Sequence, residues 1–294
     1  MAVGNADNPA LLTVVATTGS TNDDVMGLGR GTAPHGSAVA AREQSAGRGR
    51  RGHEWKSPDS GVYLSVLLRP HVPMQLYMGL PVVCALGVLD ALRGCGADGV
   101  SLKWPNDIVV GAVGGCVPDT PSQDGAACEE VAKLGGILVE AGTGEAGLFA
   151  VCGIGINLAA PGELPTDSHR AVALPPVGLD AVMPAGTVAP GFDELAESLR
   201  AGIVARVDAW EQALLAAGRV TGPLAPVLDE YVDDLAWMGH AVAATSEDGQ
   251  ELCRGILAGM DVWGRVTIRD AFGGEHELSS EMATLRPLPE SERA

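Results

Sequence analysis

The chain is short of several residue types, and each shortage removes a class of function. Lysine occurs three times in 294 residues (Lys56, Lys103, Lys133) and asparagine five times (Asn5, Asn8, Asn22, Asn106, Asn157). The six cysteines form no CxxC pair and no H-x-x-x-H occurs, so a zinc site is not expected and reduced thiols are. There is no G-x-x-x-x-G-K-[ST], which removes P-loop chemistry. Lys+Arg number 19 against Asp+Glu 37, a net charge of -18, so broad affinity for nucleic acid or an anionic membrane is not expected. The longest apolar run, Met78 to Leu92, is interrupted by glycine and by Pro81. It falls short of the roughly 18 residues of a membrane span. With no basic-then-apolar leader at the polar N-terminus, the expected location is the cytoplasm.

What cationic charge there is concentrates in one window. Arg42, Arg48, Arg50, Arg51 and Lys56 lie on or beside Glu43-Gln44-Ser45-Ala46-Gly47-Arg48-Gly49-Arg50-Arg51-Gly52-His53-Glu54-Trp55. Glycines between arginines permit close approach of backbone to a ligand, and fixed guanidinium groups suit a small polyanion such as a nucleoside triphosphate. The same stretch is compatible with a solvated basic loop or an RNA-binding Arg-Gly segment. A chain that nearly avoids Lys and Asn keeps them where a substitute fails, which singles out Asn22, Lys103, Asn106, Lys133 and Asn157.

Along the chain, Leu11–Ala16 reads as a strand leading to Thr18-Gly19-Ser20-Thr21-Asn22, a set of helix-capping residues or, alternatively, a cluster of donors and acceptors for a polar ring. Ser37–Ala41 and Tyr63–Leu68 read as strands on either side of the basic loop. Leu76–Arg93 reads as a core helix with Pro81 in its first turn. Pro105-Asn106-Asp107 is a turn between two short strands, placing Lys103 and Asp107 either in a surface ion pair or beside phosphate. Gly111–Val131 is a Gly/Pro/Asp/Ser-rich insertion without periodicity, expected to be a mobile loop. Lys133–Glu140 and Phe149–Ile156 read as strands, the second buried on both faces, with Asn157 at its exit. Leu195, Leu199, Ile203, Val207, Trp210 and Leu214 recur at helical spacing, giving a helix over Asp193–Ala217, and a second covers Leu224–Leu235. Beyond Trp237 short strands with turn signals form a small five-strand module.

The order S-T-N, E-Q-x-x-G-R-G-R-x-G-x-x-W, K-W-P-N-D, K-x-x-G-I-L-V-E and G-I-G-I-N resembles the biotin protein ligase family over about Leu11 to Ala159. All five residues singled out by scarcity fall inside these motifs. The resemblance implies an α+β fold: a mixed-sheet catalytic domain with helices packed on it, over residues 11–236. A ten-residue tail precedes it and a small SH3-like β-barrel over residues 237–290 follows. With so short a tail, the monofunctional form without an N-terminal DNA-binding domain is expected.

It further implies activation of biotin by ATP and Mg²⁺ to biotinoyl-AMP, with release of pyrophosphate. Transfer to a lysine of a biotin carboxyl carrier domain then follows, without nucleic-acid or membrane partners. Ser20, Thr21, Asn22 and Gln44 are expected at the biotin ureido group. Gly47, Arg48, Gly49, Arg50 and Lys133 should surround its carboxylate, and Gly136, Ile137, Leu138, Gly153, Gly155 and Ile156 should line the apolar slot. Arg48, Arg50, Arg51, Trp55, Lys103, Asn106, Lys133 and Asn157 are expected to bind nucleotide, with Trp55 near adenine or the folded-over loop. Asp107 and Asn157 are expected at Mg²⁺. Catalysis is expected of Lys133, Arg48, Arg50, Lys103 and Asp107, the last also considered as proton acceptor for the attacking lysine. The basic loop is expected to close over the intermediate. His53 replaces an arginine of some relatives. The rival readings are a lipoate or octanoate ligase of the same fold, an Arg-Gly-loop nucleic-acid-binding protein, and a non-catalytic biotin-binding or scaffold protein.

Overall fold

A computed structural model describes residues 11–52, 55, 57, 59–111, 131–161, 174–218, 221–288 and 292. The expectations for the N-terminal tail, for His53 and for nearly all of the Gly111–Val131 insertion lie outside these residues. Seven strands form the main sheet: β1 (Leu12–Thr18), β2 (Ala38–Gln44), β3 (Gly61–Leu68), β4 (Val100–Lys103), β5 (Asp107–Val110), β6 (Ala132–Gly144) and β7 (Gly147–Asn157). Their order is β1-β2-β3-β7-β6-β5-β4, with β1 and β2 parallel and every other pair antiparallel. The sheet is therefore mixed, as expected.

Alternation along the strands separates two faces. Val62, Leu64 and Val66 of β3 and Cys152, Ile154 and Ile156 of β7 join one large apolar core with α2 (Leu80–Gly94) and α3 (Phe192–Ala216). Val39, Leu67, Phe149 and Val151 face the other way and pack on Val25 of α1 (Thr21–Arg30). The α2–α3 contact is close because two glycines meet there. A Cβ on Gly202 would lie 2.6 Å from the Gly87 carbonyl oxygen, and one on Gly87 2.7 Å from the Ile203 Cα.

Two helix boundaries differ from the sequence reading. Met74–Gly79 forms a 3-10 turn before α2, which leaves Pro81 in the helix's first turn, where its missing N–H costs nothing. The second predicted helix shrinks to α4 (Leu228–Asp233), because Pro223 and Pro226 interrupt the ladder and residues 223–227 form turns instead. The Met74–Gly94 stretch is long and apolar enough to cross a bilayer by composition alone, contrary to the shorter run read from sequence. In the fold, 11 of the residues of α2 are buried, and it serves as the core helix.

The C-terminal module is a second, antiparallel sheet of β8 (Ala241–Thr245), β9 (Glu251–Met260), β10 (Val266–Arg269), β11 (Glu275–Leu278) and β12 (Thr284–Pro287), in the order β11-β10-β9-β8-β12. It has the five strands expected of the small barrel. It touches the catalytic unit where Trp104 Nε1 donates to the Gly264 carbonyl at 3.1 Å, and where two loop arginines reach Ser280.

Candidate active site

On the α1 side of the sheet lies a narrow cleft, open at its mouth. Its floor is made by backbone. Gly136 pairs with Gly155 and Leu138 with Gly153 across β6 and β7, and Tyr63 and Ser65 of β3 pair with Gly155 and Gly153. A side chain at Gly153 or Gly155 would collide with its neighbours, and one at Gly136 would press on Trp55. A Cβ would lie 2.0 Å from Asn22 Oδ1 at Gly153, 2.7 Å from Trp55 Nε1 at Gly155, and 3.1 Å from the Trp55 ring at Gly136.

One end of the cleft is a buried polar cup. Ser20 occupies the N-cap position of α1 with extended backbone, yet its hydroxyl makes no capping bond. The capping explanation of S-T-N therefore does not account for that side chain, which lines the cleft instead. Gln44 Oε1 accepts from the Thr21 backbone N–H (2.8 Å) and hydroxyl (3.1 Å), while Gln44 Nε2 donates to Ser57 Oγ (3.0 Å). Ser65, fully buried, bonds Thr21 Oγ1 (2.8 Å) and Asn22 Oδ1 (2.6 Å), and Asn22 Nδ2 donates to Glu140 Oε2 (2.7 Å). These bonds fix three side chains in one orientation, so the cup is preorganised for a polar ring.

Against Trp55 and Gly136, next to the residues that line the cleft, sits a charged cluster. Asp107 Oδ2 pairs with Lys103 Nζ at 3.0 Å, and Oδ1 with Lys133 Nζ at 2.6 Å. Burial pushes the Asp107 carboxyl up, but the two ammonium groups outweigh it and hold it at about 2. The cluster is thus net positive. Lys133 reaches it through a β-bulge: Ile108 pairs with Gly135 but Val109 with Lys133, so Leu134 is the extra residue. The bulge turns Lys133 to the face occupied by Gly136, whose added Cβ would lie 3.7 Å from Lys133 Cε. Trp55 borders this cluster, with Lys133 Nζ 5.1 Å from its ring centroid.

The structure redistributes several expected roles. Ser20, Thr21, Asn22, Gln44, Arg48, Gly49, Asn106, Gly136, Ile137, Leu138, Gly153 and Gly155 all line the cleft. Ile156 does not: strand alternation points its side chain into the α2–α3 core. Gly47 supports the loop's base, accepting from the Trp55 N–H at 2.9 Å in a spot where a Cβ would strike Ser57. Trp55 lies over the glycine floor itself, with its Nε1 buried and unpartnered. Asn157 Nδ2 donates to the Val177 (3.1 Å) and Lys133 (3.4 Å) carbonyls, tying a connecting segment to β6. Both Asp107 oxygens are committed to ammonium groups, which does not fit a Mg²⁺ ligand. Among the described residues no group of three His, Cys, Asp or Glu side chains could hold a metal.

The basic loop is also turned differently from expectation. Arg48 pairs with Asp23 (2.8 Å) and Glu140 (3.3 Å), whereas Arg50 and Arg51 extend to Ser280 of the C-terminal module. Sequence reasoning missed Ser65, Glu140 and Ser280. A lone serine in an apolar strand such as Ser65 was a usable signal, since a buried hydroxyl needs partners.

The sequence profile of the biotin/lipoate A/B protein ligase family matches residues 14–157. A biotin–[acetyl-CoA-carboxylase] ligase of Paracoccus denitrificans is 33% identical over 265 residues, 88% of this chain and 95% of that protein. A protein of the same description from Mycobacterium tuberculosis is 33% identical over 209 residues, 69% of this chain and 66% of its own. In architecture, the biotin protein ligase of Aquifex aeolicus, solved in complex with biotin and ATP, superposes with a TM-score of 0.67 at 23% identity, covering 94% of this chain and 99% of that one. With the glycine floor, the polar cup and the paired lysines in place, these likenesses converge: the chain belongs to the biotin/lipoate A/B protein ligase family and, within it, to the biotin protein ligases.

Proposed function

We propose that the protein joins biotin to a lysine of a biotin carboxyl carrier domain in two steps, through biotinoyl-AMP, with ATP consumed to AMP and pyrophosphate. The observation that carries this reading is the Lys103–Asp107–Lys133 cluster, which adjoins at Trp55 and Gly136 a cleft holding a preorganised polar cup. Holding a neutral ring needs only the cup. One buried lysine and one half-buried lysine bracketing a single carboxylate add a net positive site where two anions can be brought together.

In this arrangement the ureido group sits among Ser20, Thr21, Asn22 and Gln44, and the bicyclic body lies against Gly136, Leu138, Gly153 and Gly155 beneath Trp55. The valeryl carboxylate then points toward Lys133. Its attack on the α-phosphate forms the mixed anhydride and expels pyrophosphate, with Lys133 offsetting charge on the reacting oxygens and Lys103 on the leaving group. Arg48 and Arg50 supply further positive charge when the loop turns inward, and Asn106 borders the nucleotide. Mg²⁺ enters as the ATP complex, a substrate rather than a resident ion. Asp107 is assigned the positioning of the two lysines. A carboxyl held near 2 is a weak base, which argues against its taking the proton of the attacking lysine.

A lipoyl or octanoyl chain is the less favoured substrate. Its aliphatic end would desolvate the cup of Ser20, Thr21, Asn22 and Gln44 without offering it any hydrogen bond, and burying polar groups against an apolar end is costly. The test is acid-dependent ATP–pyrophosphate exchange with biotin, lipoate and octanoate. Exchange with biotin alone, lost in Lys133→Ala, is expected. Exchange with lipoate instead would overturn the specificity, and none with any acid would overturn the chemistry.

A further inference from the structure

The three arginines of the basic loop make their hydrogen bonds outside the Lys103–Asp107–Lys133 cluster, and two make them to the C-terminal module. Arg50 Nη2 donates to the Ser280 carbonyl at 3.1 Å and to its hydroxyl at 3.0 Å, and Arg51 Nη2 donates to the same carbonyl at 2.8 Å. The loop adopts an uncommon backbone there, with Arg51 at φ 57, a left-handed conformation that a non-glycine residue takes at a cost of about 1–2 kcal/mol. Two like charges on one carbonyl are a poor resting state unless something fixes them. Among the described residues neither guanidinium has a carboxylate within ion-pair distance. Burial, and then the neighbouring Arg51, draw the Arg50 guanidinium below its ordinary range. The pair bonds directly only to the neutral oxygens of Ser280, with Glu281 and Asp107 offsetting Arg50 from a distance, so an anion that offers phosphate oxygens competes well for it.

We propose that Ser280 is a positioning residue: it holds Arg50 and Arg51 on the C-terminal module in the ligand-free protein, and a polyphosphate must draw them off to bind. The module thereby sets the apparent affinity for nucleotide without touching the cleft. The nucleotide half of this inference rests on the function proposed above; the docking half does not.

The two halves are tested on the full chain with Ser280→Ala, which removes one of three bonds, and Ser280→Asp, which adds a carboxylate beside both arginines. Ser280 is only partly buried, at the tip of the turn after β11, so both side chains have room. Without any ligand, trypsin should cut after Arg50 and Arg51 about 2–5-fold faster in Ser280→Ala and several-fold slower in Ser280→Asp, the range a charge-assisted hydrogen bond at a wet site gives. In biotin-dependent exchange, the KM for ATP should fall about 2–5-fold in Ser280→Ala and rise about tenfold in Ser280→Asp, with the KM for biotin within about twofold of wild type. A merely structural role would move both variants the same way. Tryptic rates equal across the three proteins, or KM for ATP rising in both variants, would overturn the proposal. Absence of exchange in the wild type would instead fault the function, and the tryptic comparison would still decide whether Ser280 docks the arginines.

Discussion

Replacing Asp107 by Asn should turn the site's two central ion pairs into a repulsion. The substitution keeps the shape and deletes the charge that separates two ammonium groups, leaving Lys103, 8% exposed, and Lys133 facing one another. The two nitrogens are bonded to opposite oxygens of one carboxylate, so they lie roughly 6 Å apart. At an effective dielectric near 20 their repulsion is about 3 kcal/mol, in line with the 3–5 kcal/mol typical of breaking a buried pair by removing one partner. For a chain of this size about 3 kcal/mol lowers Tm by about 6–12 °C. The variant should also gain an appetite for anions: inorganic phosphate at tens of millimolar should recover more Tm in Asp107→Asn than in wild type. The assay is thermal unfolding at pH 7 with and without phosphate. A variant melting within about 1 °C of wild type, with no added response to phosphate, would refute the electrostatic account of the cluster.

Three further outcomes follow from the same geometry. Because the folded Asp107 carboxyl lies at about 2 against an ordinary 3.8, its contribution is present above pH 3.8 and is lost as pH falls through 2. On the order of 2 kcal/mol of acid-sensitive stability should therefore be missing from the pH 4-to-2 limb of Asp107→Asn, read by denaturant titration. Gly155→Ala should lower biotin affinity at least tenfold while shifting Tm by only a few degrees, since its Cβ would lie 2.7 Å from Trp55 Nε1 on the cleft side; calorimetric titration with unchanged affinity would argue against a glycine floor. Gly202→Ala should destabilise by about 1–3 kcal/mol through forced separation of α2 and α3, with exchange activity per folded molecule intact; an unchanged Tm would show that the helix contact relaxes freely.

How much of this could be read from the sequence varies with the physics involved. The α3 helix was legible because its six large apolar residues recur at a helical period and all six are buried. The scarcity of lysine pointed to Lys103 and Lys133, and both arrive at Asp107. Ile156 was misassigned because a strand buried on both faces hides which side each residue takes. The face of Lys133 depends on a bulge, and one extra residue in a ladder has no signature in a single sequence. The placement of Trp55 over the floor, and the role of Ser280 altogether, were out of reach for a different reason: both depend on where a glycine-rich loop lands, between elements far apart in the chain.

The glycine floor has an implication for how the specificity of such a site can change. Side-chain pockets are retuned by swapping residues, but here the surface beneath the ligand is made of peptide groups, and any substitution at Gly136, Gly153 or Gly155 only subtracts space. Variation is left to the rim: Ser20, Thr21, Asn22 and Gln44 at one end, Trp55 and Leu138 along the sides. A laboratory search for variants accepting a bulkier analogue of the acid would therefore be concentrated on those six positions, with the three glycines left untouched.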